Sequence, residues 1–268
     1  DEPLSDDNID LLRPPGFVGK LVEWINGQCR FPRERLAVAA ALSAMGNISG
    51  LRYEDKVYGV TTNQFIFCVA GSATGKEAIQ QAQAEIHKAA GIAPATHGAI
   101  KSEQEIIRNL IDHQAACYII DEMGLVLQKI DNARKRGGAA YLEGVIGALM
   151  SAYSKANSFM PLGGDVRKEI KMQLAKELGQ LKKRQADGAD VEADIASIER
   201  QLSTLDSGLE RPFLSLIGYT TPVTFNGLVD YEQSANGFFG RSLIIQEKET
   251  NPKAKKRFKT LPMDMTMS

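Results

Sequence analysis

From residue 57 onward, short apolar and β-branched runs alternate with segments of helical periodicity. Four of these runs are predicted strands, at residues 64–70, 117–121, 213–218 and 242–246. This alternation is typical of an α/β protein, in which crossover helices connect the strands of a mostly parallel sheet. With 268 residues, 43% of them hydrophobic, the chain is long enough to bury such a core. We therefore expect one large domain, or one domain with an appendage.

The region before residue 57 has helical periodicity. A Pro-Pro-Gly sequence ending at Gly16 precedes a predicted amphipathic helix at residues 18–25, and small apolar residues predict a second helix at residues 33–45. We expect three parts along the chain: an N-terminal helical segment at 1–56, a core at 57–250, and a basic tail at 251–268. The length and polarity of the tail favour an inter-domain linker over a nucleic-acid contact.

A segment rich in Lys, Glu and Gln interrupts the alternation at residues 166–205. Its apolar residues recur in steps of three and four on both sides of Asp187 and Gly188. This pattern predicts an antiparallel helical hairpin that is inserted into the core and projects from it.

Two other helix starts carry capping residues. Ser102 with Glu105 predicts a capping box, and Thr221 followed by Pro222 predicts an N-cap with proline at the first helical position.

Composition excludes several classes of protein. The three cysteines have no paired spacing, and Cys68 and Cys117 lie in predicted strands, which argues against disulfides and against a zinc site. No apolar stretch approaches the roughly 20 residues of a membrane span. We expect a soluble, cytoplasmic protein. Because the chain does not begin with Met, we also expect it to be a fragment of a longer protein.

A glycine-containing turn follows the first predicted strand and opens a helix. The residues predicted to bind phosphate are Gly71, Ser72, Ala73, Thr74, Gly75, Lys76 and Glu77. Backbone N–H groups of such a turn surround an anion, and Lys76 can reach the outer phosphates. Two positions depart from the usual P-loop: Ala70 replaces its first glycine, and Glu77 replaces the hydroxyl that ligates Mg²⁺. By itself, a tight strand-to-helix turn with an incidental lysine explains the pattern equally well.

An acid pair ends the second predicted strand. Asp121 is a candidate Mg²⁺ ligand, and Glu122 is a candidate for orienting and polarising the attacking water. Acid pairs after strands are also common as helix caps. The turn and the acid pair together favour nucleotide hydrolysis, with ATP and Mg²⁺ as cofactors, because both would lie at the same edge of the sheet.

Two further positions complete the candidate site. Thr220, after the third predicted strand, is the better candidate for sensing the γ-phosphate, because Thr221 is better explained as a helix cap. Arg241 lies between glycine and apolar residues at the start of the last strand. It is a candidate arginine finger acting on a neighbouring subunit, and a surface arginine paired with an acid is the alternative.

With these residues assembled, the chain resembles a family of phage and plasmid replication proteins, described as helicases, as primase-helicases or as a domain of unknown function. The similar motifs are PPGFVG (14–19), TNQF (62–65), SATGKE (72–77), IDEMG (120–124), SLIGYTTP (215–222) and GFFGR (237–241). In that family an acidic residue commonly follows the loop lysine, so Glu77 looks like a family trait. The last motif also looks like the arginine-finger turn of minichromosome-maintenance helicases.

The resemblance implies a RecA-like or AAA+-like P-loop ATPase core, a homohexamer, that moves along single-stranded DNA beside or fused to a primase. The hairpin and the absence of a primase-like segment depart from the family pattern. Loops between the acid pair and the sensor strand usually face the channel of ring helicases. The nucleic-acid candidates here are therefore Lys155, Arg167, Lys168 and Lys171, with a solvated charged face as the alternative.

The leading interpretation is thus the motor domain of an ATP-dependent DNA helicase or translocase from a mobile element, with no membrane partner. The competing interpretation, based on Glu77, is a nucleotide-gated assembly or loader module that binds ATP with little hydrolysis. A third, weaker interpretation makes the hairpin an interaction arm for a partner replication protein.

Overall fold

The structure, a computed structural model, describes residues 10–136, 143–229, 237–248 and 253–254. These residues form an α/β protein built on a five-stranded sheet whose strand pairs are all parallel. The strands are β1 (Phe65–Val69), β2 (Thr96–His97), β3 (Ala115–Ile120), β4 (Phe159–Met160), β5 (Leu209–Glu210), β6 (Phe213–Thr220) and β7 (Ser242–Gln246). The order in the main sheet is β2-β3-β6-β1-β7, and β4 and β5 form a separate antiparallel pair. The predicted mostly parallel sheet is confirmed.

The central strands are buried on both faces. Every residue of β1 and β6 is buried, as expected for apolar strands covered by helices on both sides. Side chains alternate between the faces: Phe65 and Phe67 of β1 enter one hydrophobic cluster, and Ile66 and Cys68 enter the other. The sheet is therefore the middle layer of three.

Helices cover both faces. They are α1 (Gly16–Gln28), α2 (Glu34–Ser49), α3 (Lys76–Ala89), α4 (Glu103–His113), α5 (Met123–Arg136), α6 (Glu143–Ser154), α7 (Gly164–Ala186), α8 (Glu192–Ser207) and α9 (Pro222–Val229). Residues of α1, α2 and α3 pack on one face, and residues of α4 to α8 pack on the other. The N-terminal helices thus lie directly against the sheet, and the domain boundary near residue 56 stays a prediction.

Parallel strands place their carboxyl ends at a common edge, which we call the carboxyl edge. There the N–H of Ala70 donates to the carbonyl of Thr220 (3.0 Å), and the N–H of Glu247 donates to the carbonyl of Val69 (2.9 Å). The segments that follow β1, β3, β6 and β7 therefore meet at this edge. The opposite side is the amino edge.

The helical hairpin is present as α7 and α8, with Gly188 at φ +89° in the turn between them. The base of the hairpin is packed into the core, and the residues towards its turn are exposed. Ile170, Leu174 and Ile198 are buried in the same cluster as the sheet. The guanidinium of Arg108 on α4 also donates to both carboxylate oxygens of Glu177 (3.0 and 2.9 Å). The two helices of the hairpin pack mainly against each other, and both also contact α4.

The capping predictions hold with one correction. Ser102 Oγ accepts from the N–H of Glu105 (3.2 Å), but the Glu105 carboxylate accepts from the N–H of Lys101 (2.7 Å) and not from that of Ser102. Thr221 Oγ1 accepts from the N–H of Thr224 (3.3 Å), which confirms the N-cap of α9.

The short strands β2, β4 and β5 had no periodicity that predicted them. The loop predicted to face a channel, residues 154–171, instead contains strand β4 and the start of α7. Three of its four basic candidates, Arg167, Lys168 and Lys171, therefore lie on a helix.

Candidate functional site

The turn between β1 and α3, residues 71–76, has a backbone that few residues adopt. Ala73 has φ +58° and Gly75 has φ +84°. A left-handed conformation costs a non-glycine residue roughly 1–2 kcal/mol. Such strain persists where the surrounding structure enforces it, and it concentrates at functional sites.

Several backbone donors of this turn are unused. Among the described residues, none accepts a hydrogen bond from the backbone N–H of Ser72, Ala73, Gly75 or Lys76. Ser72 and Ala73 are exposed, so water can reach them. The hydroxyl of Thr74 instead donates to the carbonyl of Gly71 (2.8 Å), which closes the turn on itself. Donors gathered at a helix N-terminus suit an anion.

A buried arginine holds the turn from behind. Arg33, at the start of α2, is 2% exposed, and its Nε donates to the carbonyl of Thr74 (2.8 Å). This contact fixes a turn carbonyl on the side away from solvent. Sequence reasoning missed Arg33, because a lone arginine before an alanine-rich helix carries no periodic pattern.

The end of β7 secures the same helix. The carboxylate of Glu247 accepts from the N–H groups of Arg35 (3.1 Å) and Leu36 (3.3 Å), as an acid at a helix N-terminus does. Arg35 also donates to the carbonyl of Gln246 (3.0 Å). Helix α2 is therefore anchored to both β7 and the 71–76 turn.

The lysine and the acid pair converge at the carboxyl edge. Lys76 Nζ lies 2.9 Å from Glu122 Oε1, with the side chains 12% and 41% exposed. Glu122 has φ +50°, a second left-handed non-glycine residue at this edge. The contact joins the start of α3 to the end of β3 across the intervening strand.

Asp121 lies beside this pair and is exposed. One of its oxygens, Oδ1, accepts from Gln80 Nε2 (3.0 Å) and from the N–H of Glu122 (3.0 Å). Glu77 is also exposed and accepts from Gln81 one helical turn further along (3.3 Å). Asp121 and Glu77 are thus held by amide donors of α3, and Asp121 keeps oxygen lone pairs for another ligand.

The two threonines after β6 differ in environment. Thr220 is fully buried, and its hydroxyl has no hydrogen-bond partner among the described residues. That hydroxyl lies against Gly124 of α5, where a Cβ atom would come within 2.3 Å of it. An unsatisfied buried hydroxyl is costly, so Thr220 is a candidate for a role that becomes satisfied in another state.

Arg241 lies at the amino edge, far from the lysine and the acids of its own chain. It directly precedes β7, whose first residue is level with Phe65 at the start of β1. The five residues of β1 separate the two edges by roughly 17 Å at about 3.3 Å a residue. Its Nη1 donates to the carbonyl of Gly237 (2.7 Å), which is not the acidic partner considered as the alternative.

The four nucleic-acid candidates are not equivalent. Lys155 and Lys168 are exposed. Lys171 contacts both carboxylate oxygens of Asp206 (2.9 and 3.0 Å), and Arg167 donates to the carbonyl of Leu162 (3.3 Å). Lys155 and Lys168 therefore have the greater freedom to meet phosphates.

Other sites are not indicated. Within the described ranges, no three His, Cys, Asp or Glu side chains gather where they could hold a metal ion, and no helix has the length and apolarity to cross a membrane. Cys29, Cys68 and Cys117 are buried free thiols. Burial raises the pKa of Cys117 to about 12, so this thiol is unreactive.

His87 is a structural residue. It is fully buried, and its ring nitrogens contact Asn47 Nδ2 (3.2 Å) and Thr96 Oγ1 (2.9 Å). Because the Thr96 hydroxyl donates to the carbonyl of Ile92 (2.9 Å), it accepts from Nδ1–H of His87. Burial lowers the pKa of His87 to about 4. The neutral ring thus links α2, α3 and β2.

No protein-family model matches this chain, and no curated protein matches it significantly.

Proposed function

We propose that the chain is the ATPase motor domain of a DNA helicase or translocase, with a RecA-like or AAA+-like P-loop core. The observation that carries the proposal is the 2.9 Å contact between Lys76 and Glu122 at the carboxyl edge. Open parallel α/β sheets bind their ligands in this position, outside the carboxyl ends of the strands. A lysine beside a strand-terminal acid pair supplies both parts of a site for phosphoryl transfer.

In this proposal the 71–76 turn binds the phosphates of ATP. Its unused N–H donors and the N-terminus of α3 meet the charged oxygens. Lys76 exchanges Glu122 for the outer phosphates, since a triphosphate carries more charge than one carboxylate. Glu122, released from the lysine, is then free to polarise the attacking water.

Asp121 is the acid of the pair that is available to hold Mg²⁺. Asp121 is exposed and has lone pairs beyond the two hydrogen bonds that Oδ1 accepts. Mg²⁺ in nucleotide sites is held by one or two carboxylates together with substrate phosphates and water, so a cluster of three protein ligands is not required. The ion would neutralise charge on the phosphates, and Asp121 would position it. Glu77 has no hydroxyl with which to ligate the ion.

Arg241 supports an oligomeric motor. Arg241 lies at the edge opposite to its own Lys76, so in this proposal it acts on the site of another subunit. A ring that stacks the amino edge of one subunit on the carboxyl edge of the next, as in a homohexamer, would bring the two together.

The test is ATP turnover by the purified chain with and without single-stranded DNA. Glu122→Gln is expected to bind ATP and lose turnover by about 100-fold or more, the usual contribution of a general base. Hydrolysis at the wild-type rate would show that the assigned mechanism is wrong. Glu85→Gln on the exposed face of α3 is the matched control.

A nucleotide-gated loader is the second candidate. It is favoured by Glu77, which is exposed and bonded to Gln81 where a metal-ligating hydroxyl usually stands. A loader would assemble on ATP without steady hydrolysis. Nucleotide-dependent growth in mass, with no phosphate release in the presence of DNA, would support the loader over the motor.

A further inference from the structure

A turn ahead of β1 presents large apolar side chains to solvent. We call residues 52–61 the tyrosine turn. Tyr53 is 65% exposed, Val57 75%, Tyr58 82% and Val60 62%. Such residues scattered singly on a surface are ordinary, but four of them within residues 53–60 concentrate exposed apolar area on one turn, as interaction sites do.

The backbone of the turn is well held. Glu54 and Thr61 form an antiparallel bridge, and the N–H of Asp55 donates to the carbonyl of Val60 (2.8 Å). The N–H of Gly59 donates back to the carbonyl of Asp55 (2.8 Å), with Gly59 at φ +65°. A turn ordered by its own backbone presents its tyrosines without a large entropic cost of binding.

Side chains from other elements fix the turn to the domain. Asn157 donates to the carbonyl of Gly59 (2.8 Å). Arg211, a non-glycine residue at φ +48°, donates to the carboxylate of Glu54 (2.8 Å). These contacts place the tyrosine turn beside the 155–160 segment and therefore near Lys155, two residues before Asn157.

The acidic and the basic side chains of the turn differ in whether they have partners within the protein. Glu54 is paired with Arg211, and Asp55 accepts from the N–H of Tyr58 (2.6 Å). Arg52 and Lys56 are exposed and form no ion pair with any residue that the structure describes. The acids are thus engaged within the protein, while the cations face solvent.

We propose that the tyrosine turn is a contact site for single-stranded nucleic acid, in which Tyr53 and Tyr58 stack on bases and Arg52 and Lys56 meet backbone phosphates. Exposed aromatic rings interleaved with basic side chains are the usual components of sequence-independent single-strand binding. A second copy of the chain is a weaker fit, because the centres of protein interfaces are depleted in charge.

This contact site rests on the proposed function, since a translocase must bind the nucleic acid along which it moves. The tyrosine turn precedes β1 and therefore lies at the amino edge, whereas the 71–76 turn follows β1 at the carboxyl edge. Loss of the stacking residues is thus expected to leave nucleotide binding intact. This separation allows the two proposals to fail independently.

The experiment measures the anisotropy of a fluorescein-labelled oligothymidylate, without nucleotide, against the full chain. Tyr53→Ser and Tyr58→Ser are each expected to weaken binding about tenfold, within the range of one lost stack. Tyr58→Phe keeps the ring and should bind like the wild type. Lys56→Ala should lower the slope of log affinity against log salt by about 0.7, the value for one phosphate contact on a single strand.

Controls separate the outcomes. Met172→Ser removes another exposed apolar side chain, 66% exposed on α7, and should not change binding. Unchanged affinity in the double variant Tyr53→Ser/Tyr58→Ser would overturn the inference. If the molecular mass of that variant also differed from that of the wild type, the turn would be an interface between copies of the chain. Tyrosine-dependent binding in a chain without ATP turnover would support the turn and contradict the motor.

Discussion

The ammonium group of Lys76 lies 2.9 Å from Oε1 of Glu122 and so links the start of α3 to the end of β3. In the proposed motor, the two residues that act on ATP neutralise each other before it binds. A partly exposed ion pair contributes only about 0–1 kcal/mol, so the pair hinders binding weakly. It holds both side chains close to the positions in which they would act.

Glu122→Gln is therefore expected to tighten ATP binding slightly while it removes turnover. Loss of the ion pair frees Lys76 for the phosphates, and about 1 kcal/mol corresponds to at most a fivefold lower Kd. Titration with a fluorescent ATP analogue measures the change. Lys76→Ala should abolish binding in the same assay, and retained affinity in that variant would remove the lysine from the site.

The second prediction concerns Arg33, which positions the 71–76 turn proposed to bind ATP. Arg33→Met keeps the apolar stem but loses the charged donor to the Thr74 carbonyl. We expect the free energy of unfolding to fall by about 2–3 kcal/mol, as for a buried hydrogen bond to a charged group. ATP affinity at a temperature where the variant is folded should also fall. An exposed control on the same chain segment is Arg30→Met. Undiminished ATP affinity in folded Arg33→Met would limit Arg33 to a role in stability.

These residues show how far sequence reasoning reaches. Apolar strands followed by polar residues predicted β1, β3, β6 and β7 to within about two residues at each end. They also indicated that Lys76 and Glu122 meet, because parallel strands share a carboxyl edge. Arg33 could not be found in this way, because its burial depends on the packing of α2 against the turn. The hairpin was recognised by its spacing, but its contact with α4 depends on tertiary geometry.

A substitution at Thr220 is expected to change stability and ATP turnover in opposite directions. Thr220→Val keeps the shape against Gly124 and removes a buried hydroxyl that has no partner among the described residues. We expect the variant to be more stable by about 1 kcal/mol, since an unsatisfied group is lost. If the hydroxyl senses the γ-phosphate, ATP turnover falls as stability rises. Chemical denaturation and phosphate release measure the two effects.

Thr221→Val is the matched control at the next position. It removes the N-cap bond to Thr224 and should lower stability by about 1 kcal/mol. Turnover that is equally reduced in both variants would contradict a specific role for Thr220.

Arg241 predicts complementation between subunits. Arg241→Ala should bind ATP but lose turnover by about 1,000-fold or more, as arginine-finger variants do. A mixture with Lys76→Ala should recover part of the activity, because an intact site then forms between an Arg241 from one variant and a Lys76 from the other. Phosphate release at varied mixing ratios measures this. If the mixture is no more active than its parts, the arginine does not act between subunits.

His87 predicts a pH dependence of stability. Its pKa is lowered to about 4 in the folded chain, from an ordinary value of 6.5, because the ring is buried. The unfolded chain therefore binds the extra proton first as the pH falls. The His87 contribution is fully present above about pH 6.5 and declines as the pH falls towards 4, by about 2 kcal/mol at pH 5. Protonation would also place a second N–H against the Asn47 amide donor, which breaks that hydrogen bond.

The measurement is urea unfolding at pH 7 and pH 5. His87→Gln is expected to be less stable than the wild type at pH 7, since it leaves Asn47 and Thr96 poorly paired. The loss of stability between pH 7 and pH 5 should nevertheless be smaller in the variant by about 2 kcal/mol, because the titrating ring is gone. An equal loss in both proteins would assign the acid sensitivity to other groups. His113→Gln is the control at an exposed histidine, whose ring lies 3.2 Å from Asp112. This control tests whether substitution of any histidine reduces the loss of stability between pH 7 and pH 5.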